Sequence, residues 1–121
     1  MLVSNVDDHL RNHGALHDGE RGWRLSPAYD LNPVPVDLKT RILSTNIDLD
    51  EGTCSLELVR EVGPLFDLAP GRADAIIGEV ASATRGWREV AKALGERPRA
   101  IERMASAFEH DDLELALTLG R

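Results

Sequence analysis

Asp7 and Asn12 stand five residues apart in the segment Asn5-Val6-Asp7-Asp8-His9-Leu10-Arg11-Asn12, and Asp30 follows in Ser26-Pro27-Ala28-Tyr29-Asp30. A carboxylate that accepts or orients a hydroxyl proton, with amide and carboxylate oxygens that hold a hard divalent cation against phosphates, is equipment for phosphoryl transfer. In that chemistry Asp7 is the candidate base, and Asn12 and Asp30 are the candidate metal ligands. An Asp and an Asn at this spacing commonly cap turns, so the pair by itself assigns nothing. What lies between Asn12 and Asp30 decides whether the three can meet.

That segment reads as a β-hairpin over residues 14–26. Ala15-Leu16-His17 and Trp23-Arg24-Leu25 are short strand candidates, and Asp18-Gly19-Glu20-Arg21-Gly22 has turn chemistry. Pro27, Pro33 and Pro35 make the following stretch irregular, because each lacks an N–H and restricts its predecessor. Residues 41–47 read as a short strand or extended segment.

From about residue 54 the chain turns helical. Ser55 is placed to cap a helix through Leu56, Leu58, Val59 and Val62, which Pro64 should end or kink. Pro70 suits the first turn of a helix running to about Leu94, with Gly95 as its stop. Pro98 opens another, carrying Ile101, Met104, Ala105 and Phe108 on one face, and Leu113, Ala116 and Leu117 suggest a last short one. The expected core is Leu56, Val59, Ile76, Ile77, Val80, Trp87, Val90, Leu94, Ile101, Met104 and Phe108, with Trp23 also inside. The fold class expected is α+β, mainly helical, as one domain over residues 1–121. Residues 1–53 form its loop-and-hairpin part and 54–121 its helical subdomain.

Composition limits the alternatives. The chain has 121 residues, 42% hydrophobic and 29% charged, with 14 Lys plus Arg against 21 Asp plus Glu and a net charge of −7. Such a balance fits a folded chain and argues against direct nucleic-acid binding. One cysteine, Cys54, makes neither an internal disulfide nor a thiolate zinc site. There is no signal-peptide pattern and no apolar run of membrane-spanning length, so no membrane association and a cytoplasmic location are the expectations.

An Asp five residues before a metal-binding Asn, then a hairpin, then a second metal-binding Asp, is the order found in protein kinases. NVDDHLRNHG followed by WRLSPAYDLNP resembles the HipA-like serine/threonine kinases, bacterial enzymes that are often toxins of toxin–antitoxin pairs. The resemblance covers essentially the whole chain, as the C-terminal part of the larger, helical lobe of a two-lobed kinase-like fold. It implies that Asp7 is the catalytic Asp, that Asn12 and Asp30 hold Mg²⁺, and that His9 orients the loop or Asp30. It also implies ATP as phosphoryl donor, a protein Ser or Thr hydroxyl as acceptor, and a small DNA-binding antitoxin as partner. The nucleotide-covering loop and the phosphate-engaging Lys have no counterpart here, since Lys39 and Lys92 are the only lysines. The chain is therefore expected to be a fragment without the N-lobe and inactive alone. An apolar patch where missing parts docked, and self-association through it, follow from the same expectation.

Two other readings stay open. The chain could be a non-catalytic helical interaction module derived from a kinase. His9, His13 and His17, spaced by four, could bind zinc, although Gly14 interrupts any helix that would align them. Asp8, Tyr29 and Cys54 read as structural: a loop-stabilising carboxylate, a packing residue with a satisfied hydroxyl, and an unactivated thiol. The acidic residues 109–114 read as a solvated helix N-terminus.

Overall fold

The computed structural model describes residues 1–119. Its first part is built by turns. A tight turn at Met1–Ser4 gives way to a 3-10 turn over Leu10–Asn12, then to β1 (Ala15–His17) and β2 (Trp23–Leu25). The two strands pair antiparallel with Ala15 opposite Leu25, Leu16 opposite Arg24 and His17 opposite Trp23. Gly19 and Gly22 turn the chain between them with φ of 52° and 80°, a region glycine enters without steric cost. The stretch expected to be extended near residue 42 pairs only once, Ile42 with Thr53.

Among the described residues five helices follow: α1 (Leu56–Val62), α2 (Pro70–Arg85), α3 (Trp87–Ala93), α4 (Pro98–Phe108) and α5 (Asp111–Leu119). Ser55 caps α1, its Oγ accepting the Leu58 N–H at 3.2 Å. Pro64 closes that helix into a 3-10 turn over Gly63–Phe66. Pro70 and Pro98 each sit in the first turn of their helices, where the missing N–H has no partner to lose. Gly95, at φ 86°, ends the run after α3.

The long helix expected from Pro70 to Leu94 is two. Gly86 leaves the helical conformation (φ −80°, ψ 9°) and separates α2 from α3. Glycine costs about 1 kcal/mol in a helix interior, so a bend concentrates there.

The core gathers Leu2, Leu56, Ile77, Ala81, Leu113 and Ala116, with Val59 packed against it, so α1, α2 and α5 close over the first residues of the chain. Ile101 is buried on α4, and Trp87 stacks on Phe108 with ring centroids 4.4 Å apart. Four residues expected inside are outside. Val80, Val90 and Leu94 are exposed because the bend at Gly86 turns α3 along α4 and leaves an open groove between them. Trp23 is exposed because the hairpin has no second layer over it.

A near-buried ion pair ties the two parts together. Arg41 Nη2 lies 2.7 Å from Asp112 Oδ2, with the side chains 18% and 13% exposed. Arg41 also donates to Ser4 Oγ and to the Met1 carbonyl. Asp112 thus departs from the solvated role expected of residues 109–114, because Arg41 reaches it from the loop region. His110, beside it, donates from Nε2 to the Leu2 carbonyl and accepts the Leu113 N–H on Nδ1.

Candidate functional site

The segment that carries Asp7 is held by its backbone. Ser4 takes a left-handed φ of 49°, and its carbonyl receives the Val6 and Val34 N–H groups at 3.0 and 3.2 Å. The Val6 carbonyl receives both the N–H and the Oγ–H of Ser44. Ser4 and Val6 are fully buried and Asn5 nearly so. With Val6 anchored inward, Asp7 is left at the surface. Its side chain is 71% exposed and pairs with Lys39, Nζ lying 3.5 Å from Oδ1. Asp8 stabilises the loop: its carboxylate meets His13 Nε2 at 3.1 Å, and its carbonyl accepts the Thr45 hydroxyl.

The 3-10 turn at Leu10–Asn12 directs Asn12 inward, where it is 8% exposed. The hairpin then returns the chain, and the Tyr29 hydroxyl donates to the Arg11 carbonyl at 2.9 Å. The base of the hairpin is closed by Ser26 N–H on the Gly14 carbonyl. A Cβ on Gly14 would meet Ser26 Oγ at 3.2 Å, so a residue without one lets the two ends approach. These contacts place Asp30 beside Asn12.

Asn12 Nδ2 donates to Asp30 Oδ2 at 3.2 Å. Asp30 itself has a left-handed backbone with φ 58°, a conformation Asp tolerates better than most residues. Asn32 Nδ2 donates to the other carboxylate oxygen, Oδ1, at 2.6 Å. Asn12 also lines a cleft of about 230 Å³ with Asp8, His13, Ser26, Pro27 and Tyr29.

Asn12 and Asp30, eighteen residues apart in sequence, are thus in contact. Asp7 is joined to neither by a hydrogen bond among the described residues; its partner is Lys39. His9 makes no hydrogen bond to Asp30 among the described residues, and its Nδ1 is buried without a partner. Lys39 and Asn32 were not singled out from sequence. Nothing in the spacing of Lys39 marks it, whereas Asn32 stands two residues after Asp30, near enough in sequence for its amide to reach that carboxylate.

Asp30 offers carboxylate oxygens and Asn12 an amide oxygen, with the Asn12 Nδ2 turned toward Asp30. Mg²⁺ binds through one or two carboxylates and completes its shell with water and phosphate oxygens, so these residues fit it. Zinc fits poorly. His13 is engaged by Asp8, and His17 packs edge-on against Trp23 with centroids 5.0 Å apart. No group of three His, Cys, Asp or Glu that could hold a metal occurs among the described residues. Burial pushes the Cys54 thiol above its ordinary range, the opposite of activation.

Among the described residues no helix is long and apolar enough to cross a membrane. Comparison with curated proteins and with solved structures gave no match. The family model for the HipA-like C-terminal domain matches residues 1–110, nearly the full length over which the loop, the hairpin and the first four helices are laid out. The chain belongs to the HipA-like family.

Proposed function

We propose that this chain provides the catalytic-loop and metal-binding part of a HipA-like protein serine/threonine kinase, which transfers the γ-phosphoryl group of ATP to a Ser or Thr hydroxyl. The observation that carries this reading is the contact between Asn12 and Asp30 across the hairpin. Mg²⁺ held there would neutralise charge on the phosphates. Asp7 would orient the acceptor hydroxyl and take its proton, and its exposure leaves it open to a protein substrate. His9 would support the loop. Positioning and charge stabilisation provide most of the rate in this chemistry, and a base with one cation pair provides only part of them. The sequence holds no Gly-rich phosphate loop, and among the described residues no Lys stands on a strand, so the chain alone is proposed to be inactive. A small DNA-binding antitoxin is the proposed partner of the active kinase, with no direct nucleic-acid contact by this chain.

The test is titration with MgCl₂ and then ATP, followed residue by residue by NMR. Shifts centred on Asn12 and Asp30 with weak or absent ATP binding are expected, and Asp30→Ala should abolish them. Shifts spread over the acidic surface, unchanged in Asp30→Ala, would refute the metal assignment.

A second reading has its own support. An apolar groove of about 750 Å³ lies between α2, α3 and α4, lined by Val80, Trp87, Val90, Leu94, Met104 and Phe108 among others. Such a surface fits a helical interaction module, or self-association. Concentration-dependent sedimentation that Leu94→Glu abolishes would favour it.

A further inference from the structure

The Asp30 carboxylate is gripped from both sides by neutral amides. Asn12 Nδ2 donates to Oδ2 at 3.2 Å, and Asn32 Nδ2 donates to Oδ1 at 2.6 Å. The Asn32 backbone is itself fixed, since its N–H donates to Asn5 Oδ1 at 3.2 Å. Asn5 is 3% exposed, so its side chain is a rigid post. We infer that Asn32 and Asn5 are positioning residues for Asp30: Asn5 fixes residue 32, and Asn32 fixes the carboxylate in the orientation that faces Asn12. The purpose of this device rests on the metal reading above; its geometry does not.

Three physical points support the inference. Asp30 is exposed, and an exposed Asp samples several rotamers unless neighbours remove that freedom. Its left-handed backbone is a sparsely populated state for a non-glycine residue, which persists where surrounding contacts over-determine it. Both donors are uncharged amides, so neither brings a positive charge that would compete with a cation, and each oxygen keeps a lone pair for one. A Lys or Arg in the place of Asn32 would instead bring a positive charge against the carboxylate that a cation needs. Groups that orient a metal ligand in this way typically change metal affinity by 10–100-fold when removed.

The test uses the full chain and Asn32→Ala, an exposed position at which the loss of a side chain leaves the core untouched. Mn²⁺ alone is the probe, followed by electron paramagnetic resonance, and the metal-free proteins are compared by NMR at the Asn12 side-chain amide. The expected result is Mn²⁺ binding weakened by about tenfold or more. With it come displaced Asn12 amide signals in the metal-free variant and an unchanged melting temperature. Affinity within about twofold of the parent, or unmoved Asn12 amide signals, overturns the inference. If the parent itself binds no Mn²⁺, the metal reading fails. The Asn12 amide signals then decide the positioning role alone, movement supporting it and constancy refuting it.

Discussion

Asp112→Asn is expected to destabilise the protein far more than the loss of any exposed ion pair. The substituted side chain keeps its volume and loses its charge. The Arg41–Asp112 contact is 2.7 Å long, with the two side chains 18% and 13% exposed. At an effective dielectric of about 20, such a separation corresponds to roughly 6 kcal/mol of attraction before desolvation is subtracted. Removing one partner from a fully buried pair costs about 3–5 kcal/mol, because the other charge is left without compensation. Arg41 retains Ser4 Oγ and the Met1 carbonyl, and both groups touch some solvent, so about 2–3 kcal/mol is the reasoned loss. For a domain of this size that lowers the melting temperature by roughly 8–12 °C. Asp37→Asn is the comparator. Its bond to Arg103 is 2.8 Å, yet the side chains of Arg103 and Asp37 are 49% and 62% exposed, and little or no loss is expected. Urea unfolding of both variants measures the difference. If Asp112→Asn falls within about 0.5 kcal/mol of Asp37→Asn, burial is not what makes this pair matter, and the reasoning fails.

Three further outcomes are expected. Burial, followed by the nearby Arg41 charge, pulls the His110 imidazole below its ordinary range, against the opposing effects of the Leu2 carbonyl and Asp112. Folding therefore favours the neutral ring. Its contribution is complete above the unfolded value near 6.5 and is lost as pH falls through the depressed folded value. Urea midpoints should drop from pH 7.5 to 5.5, and a His110→Asn variant should flatten that part of the profile. Ser55→Ala removes the acceptor for the Leu58 N–H and should cost about 1 kcal/mol by urea unfolding. Leu56→Ala, at 2% exposure, should cost about 2–5 kcal/mol in the same assay, whereas Leu49→Ala, at 95% exposure, should cost under about 0.5 kcal/mol.

Local chemistry carried the legible part of the fold. Ser55, Pro70, Gly95 and Pro98 act through their own backbone or an adjacent N–H, and the hairpin turn is written in Asp18 to Gly22. Effects that need a distant partner were hidden. Asp112 looked like one more solvated acid until Arg41 met it, and Lys39 reaches Asp7 across a loop that no periodicity describes. The groove misled the core list for a related reason: Val80, Val90 and Leu94 follow helical spacing, but spacing marks an apolar face without saying that anything covers it. At the candidate site, residue types and their order were readable from the motif. The amide support behind Asp30 depended on where the chain turns after Ala28.

The shared core of Leu2, Leu56, Ile77 and Leu113 has a consequence for folding. Its members are scattered from the opening turn to the final helix, so the closing contacts bridge long stretches of polypeptide, and such closures are slow. The Asp7 segment finds its anchors at Val34 and Ser44, nearer in the chain, whereas Leu2 is enclosed only when α5 docks. Leu2 and the α5 residues Leu113 and Ala116 are therefore expected to lock together late in folding.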